Sequence, residues 1–245
     1  MEFVWVQGGE FDMGCGPWSG SCFINEHPLH GLRLDGFWMA RHEVTQGQWK
    51  KVMGANPAGC KKGNRYPVEK VSWNDAQKFI KKFNARNDGK FRLPTESEWE
   101  FACRAGGLEI KFSWGNIQLV PKGPKLVNIW DETAVAARFK ASGKKRGNKR
   151  FYDDGYKRTS PVGSFPPNKL GPYDMIGNVW EWMLDNFDEN GYRKKSANNP
   201  IYQRPGSPQA IRCGNWLMPT RCSSRQGWKS SARSNEIGFR LVKTR

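Results

Sequence analysis

Histidine is scarce in this sequence: only three occur, and all lie before residue 43. The six cysteines, Cys15, Cys22, Cys60, Cys103, Cys213 and Cys222, form no paired CxxC spacing, so the donor pattern of a structural zinc site is missing. No stretch approaches the roughly 20 apolar residues needed to span a bilayer. The opening MEFVWVQGGEF has neither the basic start nor the apolar run of a secretion signal. That leaves a cytosolic protein, or one whose leader is absent from this chain. Linkers and internal repeats are lacking too, which favours a single domain over residues 1–245. Acidic residues are outnumbered, giving a formal charge of +17. The basic residues are nonetheless dispersed, and the one dense run, Lys144, Lys145, Arg146, Lys149 and Arg150, reads as a solvated loop. Sequence-specific nucleic-acid binding is not expected, whereas attraction to an anionic surface stays open.

What the chain does have is aromatic mass and turns. Hydrophobic residues make up only 37% of it, yet 12 Trp and 14 Phe are present, so a core must be assembled from a few large rings. With 27 Gly and 15 Pro between them, this composition suits an irregular, loop-rich α+β domain with few short strands and about three helices. The alternation FVWVQGGEFDMG, starting at Phe3, predicts two strands joined by a tight Gly-Gly turn. Residues 31–38 (GLRLDGFW) predict a further strand.

Helix starts are written three times. Thr45 caps a helix that stops at Gly54, and Ser72 with Asp75 opens an amphipathic one carrying Ala76, Phe79, Ile80 and Phe83 at helical spacing. Thr95 and Glu98 have capping-box spacing for the third. Beyond it, periodicity weakens as far as residue 170, and long ordered loops are expected rather than more helix. Such loops need anchors, and oxygen-rich turns binding calcium are one solution. Asn128-Ile129 with Asp154 and Tyr156 form one candidate, and the turn from Asp174 to Glu181 a second. The alternative is that Asp174 and Glu181 cap turns or pair with arginine. Among the thiols, Cys15 with Cys22 and Cys213 with Cys222 are near enough in sequence to pair, although sequence does not fix the pairing.

The stretch from Ile211 to Leu241 is the chemical centre of the chain. Arg212 and Arg240 bracket a mixture of flat, flexible and cationic side chains, the composition of a contact surface. A core strand pair with Trp216 and Phe239 buried is an equal alternative on composition alone.

Several phrases then accumulate in fixed order: VQGGEFDMG, ARHEVTQGQW, YPVEKVSWNDA, FRLPTESEWEFACRAG, FSWGN, GPYDMIGNVWEW, RCGNW and IGFRL. Together they closely resemble the formylglycine-generating enzyme family, also called sulfatase-modifying factors, over nearly the whole chain. The resemblance implies an elaborated C-type-lectin fold. It also implies calcium at Asn128, Ile129, Asp154 and Tyr156, and again at Asp174, Gly177, Val179 and Glu181. Active members hold copper with two cysteines in a motif resembling RGGSWLCHxxYCxR. Aligned from Arg212, those positions fall on Met218 and Ser223; aligned from Arg233, the second falls on Arg225. Neither alignment supplies the thiol pair that Cu(I) demands, so no copper and no catalysis are expected.

A frame kept while its chemistry is lost suggests recruitment for binding. The C-terminal arrangement also resembles the variable proteins of bacterial diversity-generating retroelements. On that reading Leu217, Met218, Thr220, Arg221, Ser223, Gln226, Trp228, Lys229 and Ser230 form a diversified surface for a protein or glycan ligand. A monomer is expected. It would be exported or on the cell surface, lipid-anchored in one version, with cytoplasmic residence left open. The competing readings are an oxidoreductase using Cys222 and Cys213, and a partner subunit without chemistry of its own.

Overall fold

The structure is a computed structural model that describes residues 1–87, 90–117, 119, 123–142, 152–194 and 197–244; for 139, 141, 142, 194, 218 and 219 only the backbone is described. The basic run from Lys144 to Arg150 lies outside the described residues. Among those described, strands β1 (Phe3–Val6), β2 (Gly9–Met13), β3 (His30–Leu34) and β4 (Phe37–Ala40) lead into helices α1 (Gln46–Met53) and α2 (Trp73–Asn84). Strand β5 (Phe91–Arg92) precedes α3 (Glu96–Cys103) and α4 (Glu132–Ser142). The second half adds β6 (Trp180–Asn186), β7 (Gln209–Arg212), β8 (Gly214–Asn215), β9 (Met218–Pro219), β10 (Arg225–Trp228), β11 (Ile237–Gly238) and β12 (Val242–Lys243). The α+β, C-type-lectin-like character expected from the sequence is what the structure has.

The first two strands do not form the hairpin that the Gly-Gly pair predicts. Instead β1 pairs with β4 and β2 with β3, and the antiparallel register steps one for one from Phe3↔Ala40 to Met13↔His30. They are two stretches of one arm of a single ribbon. The reason lies at Gly8, where a Cβ would sit 2.2 Å from the Leu34 carbonyl oxygen, so the glycine permits close backbone contact across the ribbon instead of turning the chain. At the other end β12 adds to β4 and β5, placing Val242 opposite Met39 and Arg92. A second sheet runs in the order β10-β7-β6-β11, with β11 parallel to β6.

All three capping boxes are formed, by Thr45 with Gln48, Ser72 with Asp75 and Thr95 with Glu98. Helices α1 and α2 lay Trp49 and Phe79 against the second sheet, their rings stacked at 5.3 Å and 9° with Phe239 edge-on. Helix α3 is buried on every side. Helix α4 was not expected. It starts at Asp131, whose carboxylate accepts the Ala134 N–H at 2.9 Å, an N-cap hidden within an otherwise aperiodic stretch.

Candidate ligand-binding groove and ion loops

Buried charge pins the C-terminal segment to the frame. Strand β10 pairs with β7, and Arg225 stands opposite Arg212. Arg225 grips Glu96 bidentately, at 2.8 and 2.6 Å, with its guanidinium 4.7 Å above Phe187 and 4.3 Å from the Tyr192 ring centre. Arg212 lies 3.5 Å from Glu96 and bonds Glu100, while Arg240 grips Glu181 through two 2.7 Å contacts. These side chains are buried, so each pair replaces water with geometry. Burial alone lowers the Arg240 pKa, but Glu181 outweighs it and holds the guanidinium more strongly protonated than usual. The arginines that bracket the segment are therefore fasteners, and Glu181 pairs with arginine.

Between the fasteners, the candidate ligand residues divide. Arg221 pairs with Glu26 and lies over Phe23, and the Ser223 hydroxyl donates to Glu26 at 2.7 Å. Thr220 donates to the Cys213 carbonyl, the Ser230 carbonyl accepts the Asn74 N–H, and Trp228 packs on the second core cluster. Gln226 and Lys229 are exposed. Leu217 is half-buried on a groove wall, and the Met218 side chain lies outside the described residues.

The thiols are committed elsewhere. Cys15 pairs with Cys22, but Cys222 pairs with Cys103, 119 residues away in sequence, and not with Cys213. Sequence proximity misleads because Cys213 faces inward, its Sγ 3.1 Å from the Gly177 carbonyl oxygen, and burial pushes that thiol well above its ordinary pKa. With Ser223 bound to Glu26 and Cys222 in a disulfide, the donors at this position do not fit a two-thiolate copper(I) site.

The oxygen-rich loops are assembled. Asp154 accepts the Ile129 N–H at 2.8 Å, the Tyr156 N–H at 2.7 Å and an Asn128 Nδ2–H at 3.1 Å, while Asn128 Oδ1 is buried without a partner. Burial, with Asp131 nearby, pushes Asp154 up to about 7. The second loop touches the first at Gly177, which has φ of +88° and where a Cβ would lie 2.3 Å from the Asn128 carbonyl oxygen. Asp174 is pushed up to about 6 by burial, and Glu43 well above its ordinary value by burial and then by Asp174 and Glu181. Val179 is fully buried, and Glu43 Oε1 has no partner. Sequence reasoning missed Glu43, which the ARHEVTQGQW phrase contained. Hard oxygen donors, orphaned carbonyl oxygens and uncompensated carboxyls fit a calcium-like cation. The fit is better at Asn128 and Asp154, because both Glu181 oxygens already serve Arg240 and Trp99.

Beside this machinery opens a groove of about 790 Å³, walled by Trp130, Trp216 and Leu217 and rimmed by Lys61, Lys62, Arg138, Lys157 and Arg158. The two indoles stand 6.1 Å apart at 42°. Arg138 lies over Trp130 at 5.7 Å and Arg158 over Trp216 at 5.8 Å.

The capped helices, the paired C-terminal segment and the adjoining oxygen loops define a C-type-lectin-like frame. The Sulfatase-modifying factor enzyme 1-like domain model matches residues 1–245, and the chain belongs to that family. It is 34% identical to the formylglycine-generating enzyme of Mus musculus over 89% of this chain and 54% of that protein. It is also 31% identical to the inactive C-alpha-formylglycine-generating enzyme 2 of Bos taurus, over 81% and 56% respectively. The chain thus spans about half the length of these curated relatives. Among solved structures, PvdO from Pseudomonas aeruginosa superposes with a TM-score of 0.78 at 26% identity, covering 98% of this chain and 93% of that one. Treponema denticola variable protein 1 shares the fold at a TM-score of 0.74 and 22% identity, covering 98% and 94%. The family therefore contains both active and inactive members. No helix among the described residues is long and apolar enough to cross a membrane.

Proposed function

We propose that this chain is a ligand-binding member of its family, not an oxidase. One observation carries the reading: Cys222, the thiol nearest the family's copper position, is held in a disulfide with Cys103, and Cys213 is turned into the core. The ligand is met by the C-terminal segment and the groove beside it. Positions such as Leu217, Gln226 and Lys229, whose backbones are held but whose side chains fasten nothing among the described residues, are the ones free to be diversified. Calcium would be a structural ion, held first by Asn128, Ile129, Asp154 and Tyr156, and would neutralise carboxyls that burial leaves uncompensated. Two disulfides support an exported or cell-surface location, since such bonds persist in oxidising compartments.

The test is anaerobic titration of the protein with Cu(I), before and after reduction, followed by oxygen uptake with a cysteine-bearing sulfatase peptide. Neither tight copper binding nor oxygen uptake is expected. Stoichiometric copper with turnover would overturn the reading in favour of the oxidase, which the 34% identity to a named enzyme favours.

A further inference from the structure

The groove between Trp130 and Trp216 has a chemistry of its own. Three separate segments bring five cationic side chains to one rim, and among the described residues no carboxylate lines it. None of the five forms an ion pair with a described acidic residue, unlike Arg212, Arg221, Arg225 and Arg240 of the frame. Like charges gathered beside apolar walls repel one another and concentrate a positive potential, an arrangement that an anion relieves. The walls are aromatic, with a guanidinium over each indole.

Trp216 supplies the second, independent observation. It is only 6% exposed, yet its indole N–H is buried without an acceptor. The two fully buried indoles are satisfied: Trp99 donates to Glu181 and Trp182 to the Val71 carbonyl, both at 2.9 Å. A buried donor left unmade beside a cationic groove asks for an oxygen from outside the chain. The groove volume falls in the range of small-molecule sites, about 300–1,000 Å³, and is too small to be by itself the footprint of a folded partner.

We infer that this groove binds a small planar anion, a flat conjugated ring bearing a carboxylate or a sulfonate- or phosphate-type group. The ring lies along Trp130 and Trp216, the acid is held by Arg138, Arg158 and the lysines, and one ligand oxygen accepts the Trp216 N–H. The inference rests on the binding-protein reading and narrows it to a ligand class.

Calorimetric titration of the full chain with 2-naphthoate, 2-naphthalenesulfonate and the neutral 2-naphthalenemethanol tests it. Both anions should bind at least about tenfold more tightly than the alcohol. Arg138→Gln with Arg158→Gln, both exposed in the native protein, should remove that preference with the melting temperature unchanged. Trp216→Phe keeps a ring but loses the donor, and should weaken the anions several-fold. Equal binding of the alcohol, or an unaltered response in the Arg138/Arg158 variant, would overturn the proposal. So would inorganic sulfate competing as well as the naphthalene acids, or an acidic peptide or heparin fragment binding far more tightly than either. Copper turnover on the same preparation would instead remove the underlying reading, so the two failures are distinguishable.

Discussion

Arg225→Ala should release the C-terminal segment more than the loss of any exposed contact would. The substitution removes the bidentate pair with Glu96, the bonds to the Asn25 and Asp188 carbonyls at 3.1 and 3.0 Å, and the guanidinium's packing on Phe187 and Tyr192. Breaking a buried pair from one side costs about 3–5 kcal/mol, because the remaining charge is stranded. Glu96 keeps Arg212 at 3.5 Å, so the low end applies, about 3 kcal/mol. For a domain of this size that lowers the melting temperature by roughly 6–12 °C. Urea denaturation at pH 7 of Arg225→Ala, Glu96→Ala and the double variant gives the cycle. The double variant should lose clearly less than the two singles together, since neither charge of the pair is left behind and Glu100 still holds Arg212. A single-variant loss below about 1 kcal/mol, or strict additivity, would refute the claim that this pair fastens the segment.

Three further outcomes follow from the same structure. Replacing Cys103 and Cys222 by serine opens a loop with a sequence separation of 119, and chain entropy sets the loss at up to about 5 kcal/mol, read from urea midpoints with and without reductant. Under chelation, Asp154 and Asp174, held near 7 and 6, keep protons that the unfolded chain releases near its ordinary carboxylate pKa of 3.8. Stability from these groups is therefore present at low pH and falls as pH rises to about 7. His42, lowered to about 4 mainly by burial and then by Arg240, slopes the other way between about 4 and 6.5. Asp154→Asn should flatten the decline in melting temperature, and added calcium should offset it at pH 7.5; a variant that titrates like the wild type would refute the assignment. Gly177→Ala, with a positive φ and a Cβ 2.3 Å from the Asn128 carbonyl oxygen, should cost about 3 kcal/mol or more, whereas Gly206→Ala, with φ of +82° and open space around it, should cost only about 1. Similar losses at the two sites would mean that the loops do not meet as described.

Much of the frame was legible because its signals are local. Capping boxes lie three residues apart, and the apolar spacing of α2 repeats within one helix, so short windows hold them. The ribbon was misread because a Gly-Gly pair signals either a turn or a close approach, and only the partner strand at Leu34 distinguishes them. Cys222 reached past Cys213 to Cys103 for a similar reason: the helix that brings Cys103 near lies more than a hundred residues away. The arginines of the last segment looked like contact residues by type, and only the positions of Glu26, Glu96, Glu100 and Glu181 reveal them as fasteners. The groove was the least legible part, since residues 59–62, 130–138, 157–158 and 216–217 contribute to it and none of them forms a motif.

A segment fastened at Arg212, Arg225 and Arg240 separates what holds its shape from what its surface presents. Exposed side chains between the rivets, such as Gln226 and Lys229, can be exchanged with little effect on folding, so this surface can change without compensating stabilisation. The buried arginines thereby let the exposed face of the segment change while the architecture stays the same.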